Sequence, residues 1–174
     1  MDGLLEALAP WYFWIKAFHV LAVAVWSFST MVAWVFYLKP ALLSAQARPD
    51  DPQAIARRNE FMERFDRGAI LEHIAFVILV VTALLMIWLR DIDLLSGNFI
   101  AVKFWIGVAI ILPMEAIDIW ISHLGGNKEK IRRSGDTERY EAMMAHHWRF
   151  FRITEPIVVV LVPLMFFLAV LKPF

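Results

Sequence analysis

The 174-residue sequence contains no cysteine, which removes disulfides, thiolate-attached haem, iron–sulfur clusters and a cysteine nucleophile together. Any metal must then be held by His, carboxylate, Lys or Met. Excess charge of either sign is also missing: 17 Lys and Arg balance 17 Asp and Glu, so no overall basic field seeks nucleic acid. Charged residues are scarce, at 20% against 60% hydrophobic, a balance that a soluble domain of this size rarely reaches. Internal repeats and low-complexity stretches are lacking. No basic n-region precedes the first apolar run, where acidic Asp2 and Glu6 stand instead, so a cleavable signal is not expected and the first run stays as a helix.

What the sequence does have is long apolar runs. A bilayer core of about 30 Å needs about 20 apolar residues in a helix. Four runs meet this, at about 11–38, 68–89, 99–124 and 153–171. The first is set between Pro10 and Pro40. The second runs from Gly68 to Arg90, and the third from the turn-like Ser96, Gly97 and Asn98 to Gly125 and Gly126. The fourth ends before Lys172 and Pro173. The connections alternate long, short, long, which predicts a single membrane domain over 1–174: an all-α, up-down-up-down four-helix bundle.

Thirteen of the 17 Lys and Arg fall in the two long connections, 39–67 and 125–152. The positive-inside bias therefore predicts that both are cytoplasmic. It leaves both termini on the non-cytoplasmic side of an inner (plasma) membrane. The connections themselves read as helical. Ile55, Arg58, Asn59, Met62 and Phe65 recur at three- and four-residue spacing, and Thr137 is placed as an N-cap before Glu138 and Tyr140. Helix extension beyond the bilayer accounts for both.

Ionisable residues within the spans cost roughly 2.5 kcal/mol or more each at a helix centre, so they face the bundle interior and pair. Depth sorts them into two layers. His19 and Lys103 form an outer layer. Glu72, His73, Glu115, Asp118, His123 and Glu155 form an inner layer drawn from three helices. Glu115 and Asp118 share one helical face, which Ser122 continues. Two carboxylates there cannot both stay ionised without partners. The candidates are a bound metal, Arg67 and Arg152 reaching in from the boundary, or shared protons.

Glu72, His73, Glu115, Asp118 and Glu155 together resemble the ligand set of a carboxylate di-metal bundle, which would hold non-haem iron or another divalent metal. Adjacent Glu72 and His73 point about 100° apart, unlike the Glu-x-x-His spacing of such bundles. Structural ion pairing is the alternative. His146 and His147, next to Trp148, Phe150 and Phe151, read as an interfacial face. His19 suits an axial haem ligand with Phe18, Val23, Trp26 and Trp105 nearby, and equally a hydrogen bond to a neighbouring helix.

The string Tyr12-Phe13-Trp14-Ile15-Lys16-Ala17-Phe18-His19-Val20, followed by Ala22, Val23 and Trp26, resembles the opening of the HemJ-type protoporphyrinogen oxidases. Phe151-Arg152-Ile153, Glu155-Pro156 and Lys172-Pro173-Phe174 are similar to the end of those proteins. The likeness covers the two ends of the chain. In the middle, Glu72-His73 stands where the family has an Asn-Pro pair, and Ala101 where a histidine precedes the helix-three lysine. The resemblance is that of a divergent member or paralogue, with a further similarity to CopD-like membrane proteins.

It implies a haem b protein that oxidises protoporphyrinogen IX, with His19 as axial ligand and Lys103 near a propionate or as second ligand. A tetrapyrrole substrate would then enter from the lipid bilayer and electrons would leave to a membrane acceptor. The alternatives are a membrane metalloprotein using the inner layer, for oxidation or metal handling, and a non-enzymatic accessory subunit. A homo-oligomer is compatible with each.

Overall fold

The computed structural model describes residues 2–172. Among them there is no strand, and the chain is all-α: α1 Asp2–Leu8, α2 Tyr12–Ala33, α3 Lys39–Ala47, α4 Pro52–Leu89, α5 Phe99–Ile106, α6 Leu112–Ser122, α7 Lys128–Arg133 and α8 Thr137–Leu171. Four helical stretches among the described residues are long and apolar enough to cross a membrane: Glu6–Ala47, Pro52–Leu89, Phe99–Ser122 and Thr137–Leu171.

Two of these stretches contain a turn of π-helix, Trp34–Leu38 between α2 and α3 and Gly107–Ile111 between α5 and α6. Each lies just before a proline, Pro40 and Pro113. Proline has no N–H to donate, and its ring crowds the carbonyl one turn back. The turn widens, and Lys39 and Leu112 reach back five residues to Trp34 and Gly107. The helix carries on through the proline in both places.

Helix extension accounts for most of both long connections. The second span begins at Pro52, where the Asp51 side chain accepts from the Gln53 and Ala54 amides. The fourth begins at Thr137, capped by Asp136 rather than by Thr137 itself. Asn98 caps α5, which gives the Ser96-Gly97-Asn98 turn its role as a helix start. α6 stops at Ser122, two residues before the expected end of the third run.

The long helices turn apolar side chains outward. Phe13, Phe36, Leu71 and Val160 are each at least 65% exposed, as lipid-facing residues are and water-facing ones rarely are. Between helices, aliphatic packing is joined by aromatic and polar contacts, the kind that hold helices together where lipid is as apolar as the side chains. His19, Trp26 and Tyr37 along the first stretch meet Thr82, Phe76 and Phe61 along α4. At the basic end, where the two long connections lie, Trp34 stacks on Phe151 with ring centroids 4.3 Å apart. Nearby, Arg132 of α7 grips buried Glu63 through two bonds of 2.6 and 2.9 Å, and the Tyr140 hydroxyl donates a third at 3.1 Å. That clamp ties α4, α7 and α8 together.

Candidate functional site

A run of buried polar side chains occupies the bundle near its basic end. On α4, Met62, Asp66, Ala69, His73 and Phe76 are all buried at steps of three and four, so the acid and the histidine share the inward stripe. Glu72 is buried on its edge. α6 contributes Glu115, Asp118 and Ser122 on one face, all buried, and α8 contributes His147, Phe151 and Thr154 on another. The turn after α6 brings in His123 and Lys128. It folds back because Gly126 donates to the Trp120 carbonyl and the Asn127 side chain donates to the Ser122 carbonyl.

Asp118 is the hub. Its Oδ2 lies 3.2 Å from His73 Nε2, and its Oδ1 lies 3.3 Å from both the Ser122 hydroxyl and His147 Nε2. The His147 contact has the distance of a hydrogen bond without its alignment, and that nitrogen is fully buried. His73 Nδ1 in turn lies 2.8 Å from His123 Nε2, with the two rings at 89°. On the other side, Trp26 donates to Glu115 Oε1 at 2.8 Å, while Glu115 Oε2 is 4.0 Å from His73 Nε2.

Lys128 closes the cluster. Its ammonium meets Asp66 Oδ1 at 3.1 Å, the Ile121 carbonyl at 3.0 Å and His147 Nδ1. An ammonium has three protons and no acceptor, so all three are engaged, and His147 Nδ1 must accept. The remaining proton of neutral His147 is therefore on Nε2, the nitrogen 3.3 Å from Asp118 Oδ1. Burial pulls the Lys128 ammonium below the usual lysine range, and the Asp66 carboxylate beside it opposes that shift.

Among the expected site residues, Glu72, His73, Glu115 and Asp118 come together in this layer. Glu155 is half-buried and, with Glu72, Glu115 and Asp118, lines one cavity in the bundle; Lys39 holds both its oxygens at 2.7 and 2.9 Å. Arg67 and Arg152, the cations expected to neutralise the layer, do not reach it: Arg67 binds Glu129 and Arg152 lies over Trp148. Lys128 does that work. His147, expected at the interface, is completely buried and stacked on Phe151 at 4.6 Å. His146 is the exposed one of the pair. Among the described residues, no three His, Asp or Glu side chains converge on a single point as metal ligands do.

The outer layer is smaller. His19 Nδ1 lies 3.2 Å from the Leu79 carbonyl and 3.0 Å from Thr82 Oγ1. The Thr82 hydroxyl already donates to the Ile78 and Leu79 carbonyls, so it receives from His19. The Nδ1 proton is thereby fixed, and a neutral ring leaves the Nε2 lone pair free. Lys103 is part-buried on α5. The last two residues of the Lys172-Pro173-Phe174 ending lie outside the described residues.

No protein-family profile, curated protein or solved structure matches this chain.

Proposed function

We propose that the protein is a haem b-binding membrane oxidoreductase of the protoporphyrinogen-oxidase kind. In this reading it is an up-down-up-down bundle in the inner membrane with both termini non-cytoplasmic. The observation that carries it is the His19 ring. Its Nδ1–H is given to Leu79 and Thr82 of the neighbouring helix, a hydrogen bond of the kind that fixes the tautomer of a ligating histidine and raises the basicity of the other nitrogen.

The residues present suit the group. Phe18 and Trp105, 57% and 49% exposed, would offer apolar surface to a macrocycle, and Lys103 would suit a propionate. Haem b, when bound, supplies the electron-accepting centre for oxidising a hydrogen-rich tetrapyrrole. The chain's own contribution is to hold His19 in one tautomer and to admit an apolar substrate from the bilayer past its lipid-facing helices. Thirteen of 17 basic residues in the two long connections support the orientation.

The test is the absorption spectrum of the detergent-purified protein beside that of His19→Ala. The wild type is expected to show a Soret band that the variant loses while keeping its helical circular dichroism. Full pigment in the variant would refute His19 as the ligand.

A further inference from the structure

Three of the buried side-chain atoms without a hydrogen-bond partner, Thr30 Oγ1, Trp34 Nε1 and Glu115 Oε2, come from different turns of the bundle and line one cavity. Glu72, Asp118 and Glu155 line it too. The cavity measures about 110 Å³, room for several waters at roughly 10–15 Å³ of such space each. Buried donors and acceptors in folded proteins find partners, in protein or in water. Most of the lining is apolar, so the donor, the hydroxyl and the carboxylate oxygen left facing it are its polar points, and water held there gives them partners.

We infer that this chamber and the His73–His123 pair form a proton-transfer path from the carboxyl groups inside the bundle to its basic end. Asp118, on the chamber wall, touches His73 Nε2, and His73 Nδ1 touches His123 Nε2. A proton arriving on His73 Nε2 leaves from Nδ1 to His123, and ring tautomers then reset. No bond other than N–H or O–H is made or broken. His123 is part-exposed, so its far nitrogen can pass the proton onward. Glu115 Oε2, 4.0 Å from His73, lies beyond direct transfer and connects through chamber water.

The other branch holds rather than conducts. Lys128 has all three protons engaged by Asp66, Ile121 and His147, and it fixes the His147 proton on Nε2, the nitrogen nearest Asp118. The groups around the path are therefore Asp66, Glu72 and His73 from α4, Glu115 and Asp118 from α6, His123 and Lys128 from the turn and α7, and His147 and Glu155 from α8. Four of them, Asp66, Glu72, Glu115 and Asp118, are buried carboxyl groups facing one buried lysine. Shared protons balance that excess.

The experiment is time-resolved infrared spectroscopy of the whole protein in lipid nanodiscs after mixing into D2O, following the C=O stretch of protonated carboxyl groups. The band is expected to be lost in Glu72→Gln or Glu115→Gln and to exchange quickly in the wild type. His123→Ala should slow the exchange about a hundredfold, and free imidazole should restore it, which a merely structural role would not produce. Equal rates in wild type and His123→Ala would overturn the path. So would failure of imidazole to rescue, or a spectrum with no protonated carboxyl band assignable to Glu72 or Glu115. None of these readouts depends on His19, so the path and the haem reading fail or stand separately.

Discussion

Lys128 Nζ lies 3.1 Å from Asp66 Oδ1, and neither side chain has any exposed surface. The pair joins the start of α7 to the middle of α4, with the Lys128 amide adding a second bond to Asp66 at 3.2 Å. Removing one member of a buried pair leaves the other charge without compensation, at a cost of about 3–5 kcal/mol. Lys128→Met should lower stability by that order in thermal unfolding of the purified protein. The double variant with Asp66→Asn should recover much of the loss. Simple addition of the two single effects would contradict the pairing.

Lys39 and Glu155 make a shorter contact, 2.7 Å, but their side chains are 38% and 28% exposed. Exposure discounts the pair to about 0–1 kcal/mol. Lys39→Ala should therefore leave the unfolding temperature nearly unchanged, and a loss as large as that of Lys128→Met would show that Glu155 belongs energetically to the inner layer.

Trp26 donates the one hydrogen bond that Glu115 Oε1 receives among the described residues. Trp26→Phe keeps the ring against Phe76 and removes the donor. It should destabilise by about 1–3 kcal/mol, read as a lower unfolding midpoint in detergent. A neutral outcome would mean that Glu115 finds an equal partner in the chamber.

Gly126 is where the turn after α6 touches that helix. A Cβ there would stand 2.5 Å from the Ile121 carbonyl oxygen and 2.8 Å from its Cα, and backbone cannot step aside as a flexible side chain does. Gly126→Ala should cost about 1–3 kcal/mol and displace Lys128, whereas Gly68→Ala, with nothing within 4 Å, serves as the control with no comparable loss in the same unfolding assay.

The sequence makes the four apolar stretches and their polar layer visible because span length and intramembrane charge are strong, local signals. It is weaker wherever a partner comes from a distant turn. His147 resembles an interfacial residue when Trp148 and Phe150 are its context. Continuing the α8 period inward from Tyr140 puts His147, Phe151 and Thr154 on one buried stripe. Asp66 has the same explanation, four residues after Met62 and seven before His73 on the α4 stripe. Lys128 had no such signal. Its burial depends on the tight turn through Gly126 and Asn127, and nearby Lys130, Arg132 and Arg133 look equivalent in composition. The widened turn at Trp34 is concealed because Pro40 reads as the end of the first run, and the one at Gly107 because the apolar pattern of the third run continues unbroken through Pro113.

The most direct test of the central claim is the reduced-minus-oxidised spectrum of the purified wild-type protein, with haem quantified on the same sample. The account predicts haem b near one per chain, with the bands of a histidine-ligated iron that disappear in His19→Ala. A colourless, folded preparation that remains colourless after incubation with added haem would contradict it.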